Sequence, residues 1–146
     1  LSHTHVTDSG LAGLSHLAEL RDLSLWDTPI TDAGLEHLAA FPRLNRLDLR
    51  VTPVTDRGIA SLARLTQLRD LNLADTQLTD VGLAHLESLE HLEILDLRQT
   101  AVSDAGVGSL INCTRLNRLA LNGTRITPAG RRRLGLALSR CVISGP

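Results

Sequence analysis

Lysine is absent, and all 15 basic residues are arginine, a uniformity read as base-composition bias rather than chemistry. Tyrosine and methionine are also missing, with one tryptophan and one phenylalanine in 146 residues. A core with almost no aromatics must be filled by leucine and small residues, which suits a thin repeated layer better than one large globular centre. No run of about 18 apolar residues occurs, so nothing reads as a membrane-spanning helix and no membrane partner is expected. Two cysteines, Cys113 and Cys141, form no recognisable disulfide framework. The six histidines show no HxxxH spacing and the cysteines no CxxC spacing, so neither a metal site nor any other cofactor is expected. No serine sits in a nucleophile elbow, and no catalytic residue is assigned.

Acid is missing from one end. Residues 1–104 hold all 16 carboxylates and 8 arginines, whereas residues 105–146 hold 7 arginines and no carboxylate. A net charge of −1 therefore conceals an end-to-end polarity that can orient a partner.

What the chain has in abundance is itself. The stretch LRDLNLADTQLTDVGLAHLESLEH, residues 68–91, maps onto neighbouring copies when shifted by 24 residues. Full repeats cover 20–43, 44–67, 68–91, 92–115 and 116–139, and residues 1–19 fit the back portion of another. Self-similarity at such a period specifies a solenoid, here a single domain over 1–146 with a C-terminal cap over 131–146. Leu1 falls inside a repeat with no initiating Met, so the chain is expected to be a fragment of a longer protein. The sequence does not settle the compartment; the cytoplasm is the favoured reading.

Within a repeat, Leu71 and Leu73 alternate with Asp70, Asn72 and Ala74, the period-two pattern of a short half-buried strand. Strands are expected near Leu23–Leu25, Leu47–Leu49, Leu71–Leu73, Leu95–Leu97 and Leu119–Leu121, with Val142 and Ile143 forming a last half-strand. Thr4, Thr28, Thr52, Thr76, Thr100 and Thr124 follow at the bend, where their hydroxyls are expected to bond backbone groups left open as the chain leaves the strand, the column forming a ladder between repeats. A short helix then starts at Thr-Asp-x-Gly. Thr79 suits the N-cap and Asp80 the positive end of the dipole, while Leu83, Leu86 and Leu89 mark one face. In the last repeat Thr127-Pro128 takes that place, and proline favours the first helical position. The recurring glycine, Gly82 in this repeat, predicts close approach of a neighbouring backbone. Strand, helix and parallel strand make a right-handed α/β coil. Helices need about 8–10 Å between axes and strands about 4.8 Å, so the sheet lines the concave side of a short horseshoe.

The pattern LxxLxLxxTx[IVL]TDxGLxxLxxL resembles the leucine-rich repeats, specifically the 24-residue subclass whose helical half begins T-D-x-G-L. It is close to the cysteine-containing type of F-box substrate receptors, but it has Thr where that type has Cys and lacks an F-box segment. The Thr form looks more like repeats of large bacterial proteins. The resemblance implies an interaction scaffold with no intrinsic catalysis and a concave binding surface.

Three columns of outward strand residues form that surface. Asp22, Arg46, Asp70, Ile94 and Arg118 make one; Ser24, Asp48, Asn72, Asp96 and Ala120 the next; Ser2, Trp26, Arg50, Ala74, Arg98 and Asn122 the third. Neighbours in a column stand about one strand spacing apart, so Asp22–Arg46–Asp70 reads equally as a self-satisfying charge ladder or as a binding feature. Trp26 is expected to project into solvent with Arg50 able to stack on it, the pairing of an interface hot spot. The candidate partner-binding set is Trp26, Arg46, Asp48, Arg50, Asp70, Asn72, Asp96, Arg98 and Arg118. A protein or peptide is the expected partner. Nucleic acid is not expected, because Arg131–Arg133 lack interleaved aromatics and read as a polar cap. Val6, Leu11, Leu14 and Leu17 are expected to lack cover upstream, which makes self-association through the N-terminal end a further expectation. The alternative function is the substrate-recognition portion of a larger enzyme, a ubiquitin-ligase-like receptor or a kinase, with its catalytic domain upstream.

Overall fold

The computed structural model describes residues 1–145; Pro146, the last residue of the expected cap, lies outside the described residues. Six three-residue strands form one parallel sheet in chain order: β1 Asp22–Ser24, β2 Arg46–Asp48, β3 Asp70–Asn72, β4 Ile94–Asp96, β5 Arg118–Ala120 and β6 Val142–Ser144. The register is constant, with Leu23, Leu47, Leu71, Leu95, Leu119 and Ile143 aligned across the sheet. Pairing continues past the strand ends, since Leu25 N–H donates to Asp48 O at 2.8 Å and Asp27 N–H to Arg50 O at 3.1 Å. Short helices cover the convex side: α1 Asp8–Ala12, α2 Asp32–Glu36, α3 Asp56–Ser61, α4 Asp80–Leu83, α5 Val107–Asn112 and α6 Pro128–Ala137. The result is a short open horseshoe with the sheet on its inner face.

The three-residue spacing of the helix leucines has a direct structural counterpart. After α4 the chain tightens into a 3₁₀ turn, Ala84–Ser88, whose period of three keeps Leu83, Leu86 and Leu89 pointing inward. The same α-to-3₁₀ passage follows α2 and α3. Between sheet and helices lies one continuous layer of leucine, isoleucine and valine, with Phe41 its one buried aromatic ring. Cys113 occupies the layer in place of leucine, and burial, aided by nearby Glu87, pushes its thiol up to about 11. Both cysteines are free thiols. At the N-terminal end Leu11 is fully buried, its cover coming from downstream, where α2 packs against α1; Leu17 is exposed.

The bend threonines depart from the expected ladder. Thr28, Thr52, Thr76 and Thr100 are buried, but each hydroxyl donates to the carbonyl three residues earlier in its own repeat, Thr76 to Leu73 O at 2.7 Å. The hydroxyl closes the bend locally because the strand has just ended and that carbonyl has no helical partner yet.

The link between repeats is carried instead by the first helical aspartate. Asp32 Oδ1 accepts from Thr55 N–H at 2.8 Å, and its Oδ2 accepts from the Thr55 hydroxyl at 2.6 Å. Asp8–Thr31, Asp56–Thr79, Asp80–Ser103 and Asp104–Thr127 repeat the arrangement. Each held hydroxyl then caps its own helix, as Thr55 does for Arg57 N–H at 3.3 Å. The glycine column follows from this geometry. A methyl group at Gly58 would overlap the Asp32 carboxylate and stand 3.0 Å from Asp32 Cα, so the close neighbour is mainly a side chain rather than the expected backbone. Pro128 ends the series, having no carboxylate to pass on.

α6 also differs from the other helices in length, and Arg131 extends from it to donate to Ile143 O at 2.9 Å. Val142 N–H and Ser144 O face β5, so strand alternation turns Ile143 O toward the open edge. The Arg131 guanidinium blunts that edge.

Candidate concave interaction surface

Period-two strands put leucine into the layer and the intervening residues on the concave face, and the constant register lines these up into the expected columns. In the first column the Arg46 guanidinium pairs with Asp22 rather than with Asp70. In the second, Asp48 and Asp96 turn to residues two positions on in their own chain. Asp48 accepts from the Arg50 backbone N–H at 3.2 Å and from its side chain at 3.0 and 3.1 Å. Asp96 holds the Arg98 backbone N–H at 3.0 Å and its guanidinium at 2.6 to 2.9 Å. Asn72 repeats the turn without the charge, accepting from Ala74 N–H at 3.1 Å. Ser24 joins the row by donating to Asp48 at 3.5 Å.

Trp26 is not free in solvent as expected; it is half-buried. The Arg50 guanidinium lies 4.5 Å from its ring centroid on one side, and the His3 ring meets it edge-on at 3.9 Å on the other. Arg50 stands one repeat after Trp26 in the same column, whereas His3 reaches the ring from the position next to Ser2, the column neighbour one repeat before. His3 is held in turn by Asp27 at 2.7 Å.

Two of the nine candidate residues keep unanswered charges. Asp70 and Arg118 make no side-chain hydrogen bond or ion pair among the described residues, and half-buried Ile94 separates them in the same column. Burial raises the Asp70 carboxyl above the ordinary range; Arg46 and Arg118 oppose that rise while Asp48 and Asp96 add to it. Asp70 also borders two shallow depressions. One, about 410 Å³, is lined with Asp22, Ser24, Arg46, Asp48 and Asn72; the other, about 380 Å³, with Arg69, Glu93 and Ile94. The histidines are dispersed, and among the described residues no group of three His, Cys, Asp or Glu side chains is placed to hold a metal.

The sequence model of the family described as "Leucine Rich repeat" matches residues 65–86 and 88–110. The six-stranded open sheet with helices outside is shared with solved leucine-rich-repeat structures. The chain has the fold of a leucine-rich-repeat solenoid. Its fold is similar to internalin C2 of Listeria monocytogenes, with a TM-score of 0.75 and 26% identity over 92% of this chain and 55% of that one. A leucine-rich repeat protein of Leptospira interrogans gives a TM-score of 0.71 at 23% identity, covering 91% of this chain and 33% of that one. A second Listeria internalin, inlF, gives 0.55 at 22% identity, with 90% of this chain and 49% of that one covered. The solenoid thus spans about half, or less, of the structures it matches. No curated protein sequence matches it. Leucine-rich-repeat solenoids are typically protein-interaction modules and generally not catalysts.

The cross-repeat aspartate bridge escaped the sequence reading, although a signal for it existed. Asp and Gly recur together in every copy of the motif except the last, where Pro128 stands in the aspartate's place.

Proposed function

We propose that this solenoid is a non-catalytic recognition module that docks a protein or peptide on its concave sheet. Preorganisation of the outward columns carries this reading. Arg46, Asp48, Arg50, Asp96 and Arg98 are already held by intramolecular partners, and Trp26 is clamped between His3 and Arg50. Side chains fixed before binding lose little conformational entropy when engaged. The footprint centres on Trp26, Asp48, Arg50, Asp70 and Asn72, with Arg98 and Arg118 at its basic end.

The test is to capture partners from the source cell and titrate each against two variants. Trp26→Ala should weaken binding by about 2 kcal/mol, as loss of a central tryptophan often does. His37→Ala, on the convex helices, should leave it unchanged. The opposite pattern would move the functional face to the helical side.

A further inference from the structure

On that reading, the concave face also carries information about what its partner looks like. We infer that the row Asp70–Ile94–Arg118 selects a peptide segment that places a basic side chain on Asp70, with its aliphatic stem on Ile94, and an acidic side chain on Arg118.

The argument rests on which charges are already answered. Asp22 is matched by Arg46, Asp48 by Arg50 and Asp96 by Arg98, each within one repeat or across one repeat boundary. These pairs gain little from a partner, since a new salt bridge would first have to break an existing one. Asp70 and Arg118 have nothing to break. They are of opposite sign and stand in one column, two strand steps apart. At about 4.8 Å per step, the two charges sit roughly 10 Å apart along the solenoid axis.

Ile94 lies between them, in a position filled by Asp, Arg or Arg in the copies at 22, 46 and 118. A half-buried isoleucine there offers apolar contact to the stem of an arginine or lysine reaching Asp70. The depressions on either side of Asp70 give that stem a place to lie. Burial already disfavours the Asp70 charge, so a cation brought by a partner relieves a cost the free solenoid carries.

The spacing selects the occupant's geometry. A polyproline-like extended segment rises about 3.1 Å per residue and returns to the same side every third residue, so side chains three apart are about 9 Å distant on one face. A basic and an acidic residue at that separation match the two charges, and the aliphatic stem of the basic side chain covers Ile94 between them. The charges also set polarity along the solenoid, since the basic side chain lies on β3 and the acidic one on β5.

Selection from a display library of random twelve-residue peptides tests this without a known partner. The baits are the parent solenoid, Asp70→Asn, Arg118→Gln, and the swapped double variant Asp70→Arg with Arg118→Asp. Circular dichroism checks that each bait is folded. Parent binders should be enriched in a basic and an acidic residue three apart and should lose about tenfold or more in affinity for each single variant. Exchanging the basic and acidic residues within a parent binder should restore its affinity for the swapped bait. Binders that ignore Asp70 and Arg118 but are lost on Ser24→Arg would overturn the inference while leaving concave recognition standing. Binders insensitive to every concave change, or no enrichment at all, would overturn both.

Discussion

Asp32 holds Thr55 twice across a repeat boundary, one carboxylate oxygen on the backbone N–H at 2.8 Å and the other on the hydroxyl at 2.6 Å. The two groups are separated by 23 residues, and the contact fixes where one helix starts relative to the helix before it. Hydrogen bonds to a charged acceptor are worth about 1.5–3 kcal/mol each, and removing the acceptor strands both donors. We expect Asp56→Ala, which breaks the equivalent hold on Thr79, to cost about 2 kcal/mol or more in chemical denaturation. Glu90→Ala, at an exposed site outside the series, should change stability by about 0.5 kcal/mol or less. Equal losses would show that the bridge contributes nothing.

The last bridge predicts a pH dependence. The Thr127 hydroxyl and backbone N–H, with Arg133 adding to them, hold the Asp104 carboxyl below the ordinary carboxylate range. A depressed folded value means the stabilisation is complete above the unfolded value of about 3.9 and disappears as pH falls through the folded one. Parent and Asp104→Asn should therefore differ in denaturation midpoint near neutral pH and converge in acid below about 4. A difference that grows on acidification would contradict the assignment.

Two glycines of opposite environment provide the next contrast. A methyl group at Gly58 meets the Asp32 carboxylate, whereas one at Gly135 in α6 meets nothing within 4 Å. Gly58→Ala should cost about 2 kcal/mol, in the range of overpacking into a site with no slack. Gly135→Ala should stabilise by about 0.5–1 kcal/mol, the usual gain in a helix. Denaturant midpoints of the two variants should move in opposite directions.

Much of this scaffold is legible in the sequence, because strand, bend, N-cap and helix face each have a short-range signature repeated every 24 residues. Leu71 and Leu73 announce a strand, and Thr79-Asp80 announces a helix start. Val142 and Ile143 identified even the last strand. Contacts that depend on where a long side chain swings were not legible. Arg46 stands between Asp22 and Asp70 at equal strand distance, and the sequence holds nothing that chooses Asp22. Trp26 was read correctly as the neighbour of Arg50, but His3, from a partial repeat, covers its other side.

The backbone carries a further periodic feature. His3, Asp27, Val51, Asp75 and Gln99 all have φ between 52° and 58°, and Gly123 follows with φ of 76° at the same place in the next repeat. Asp and Gly tolerate this left-handed region, but a β-branched residue is strained there. Val51 is 44% exposed, so it has limited packing to lose. Val51→Asn should therefore stabilise the solenoid by about 1 kcal/mol, read from the thermal or denaturant midpoint. No gain would mean that the valine side chain offsets its own backbone strain.

Asp70 should show the signature of a residue kept for recognition at the expense of stability. Burial raises its carboxyl above the ordinary range. The fold then binds that proton more tightly than the unfolded chain does, so the cost is present at neutral pH and vanishes below the unfolded value of about 3.9. Asp70→Asn should be more stable than the parent at pH 7, with the advantage gone by about pH 3. A less stable variant at pH 7 would indicate that Arg46 and Arg118 satisfy Asp70 after all.

The concave assignment is tested most directly by carbodiimide labelling of carboxylates, read residue by residue in the free solenoid and in complex with a captured partner. Asp22, Asp48 and Asp70 on the sheet should lose labelling on binding, with Asp70 losing most. Glu36, Glu87 and Glu90 on the helical side should label as before. Protection of those three glutamates with Asp70 still fully reactive would contradict the account.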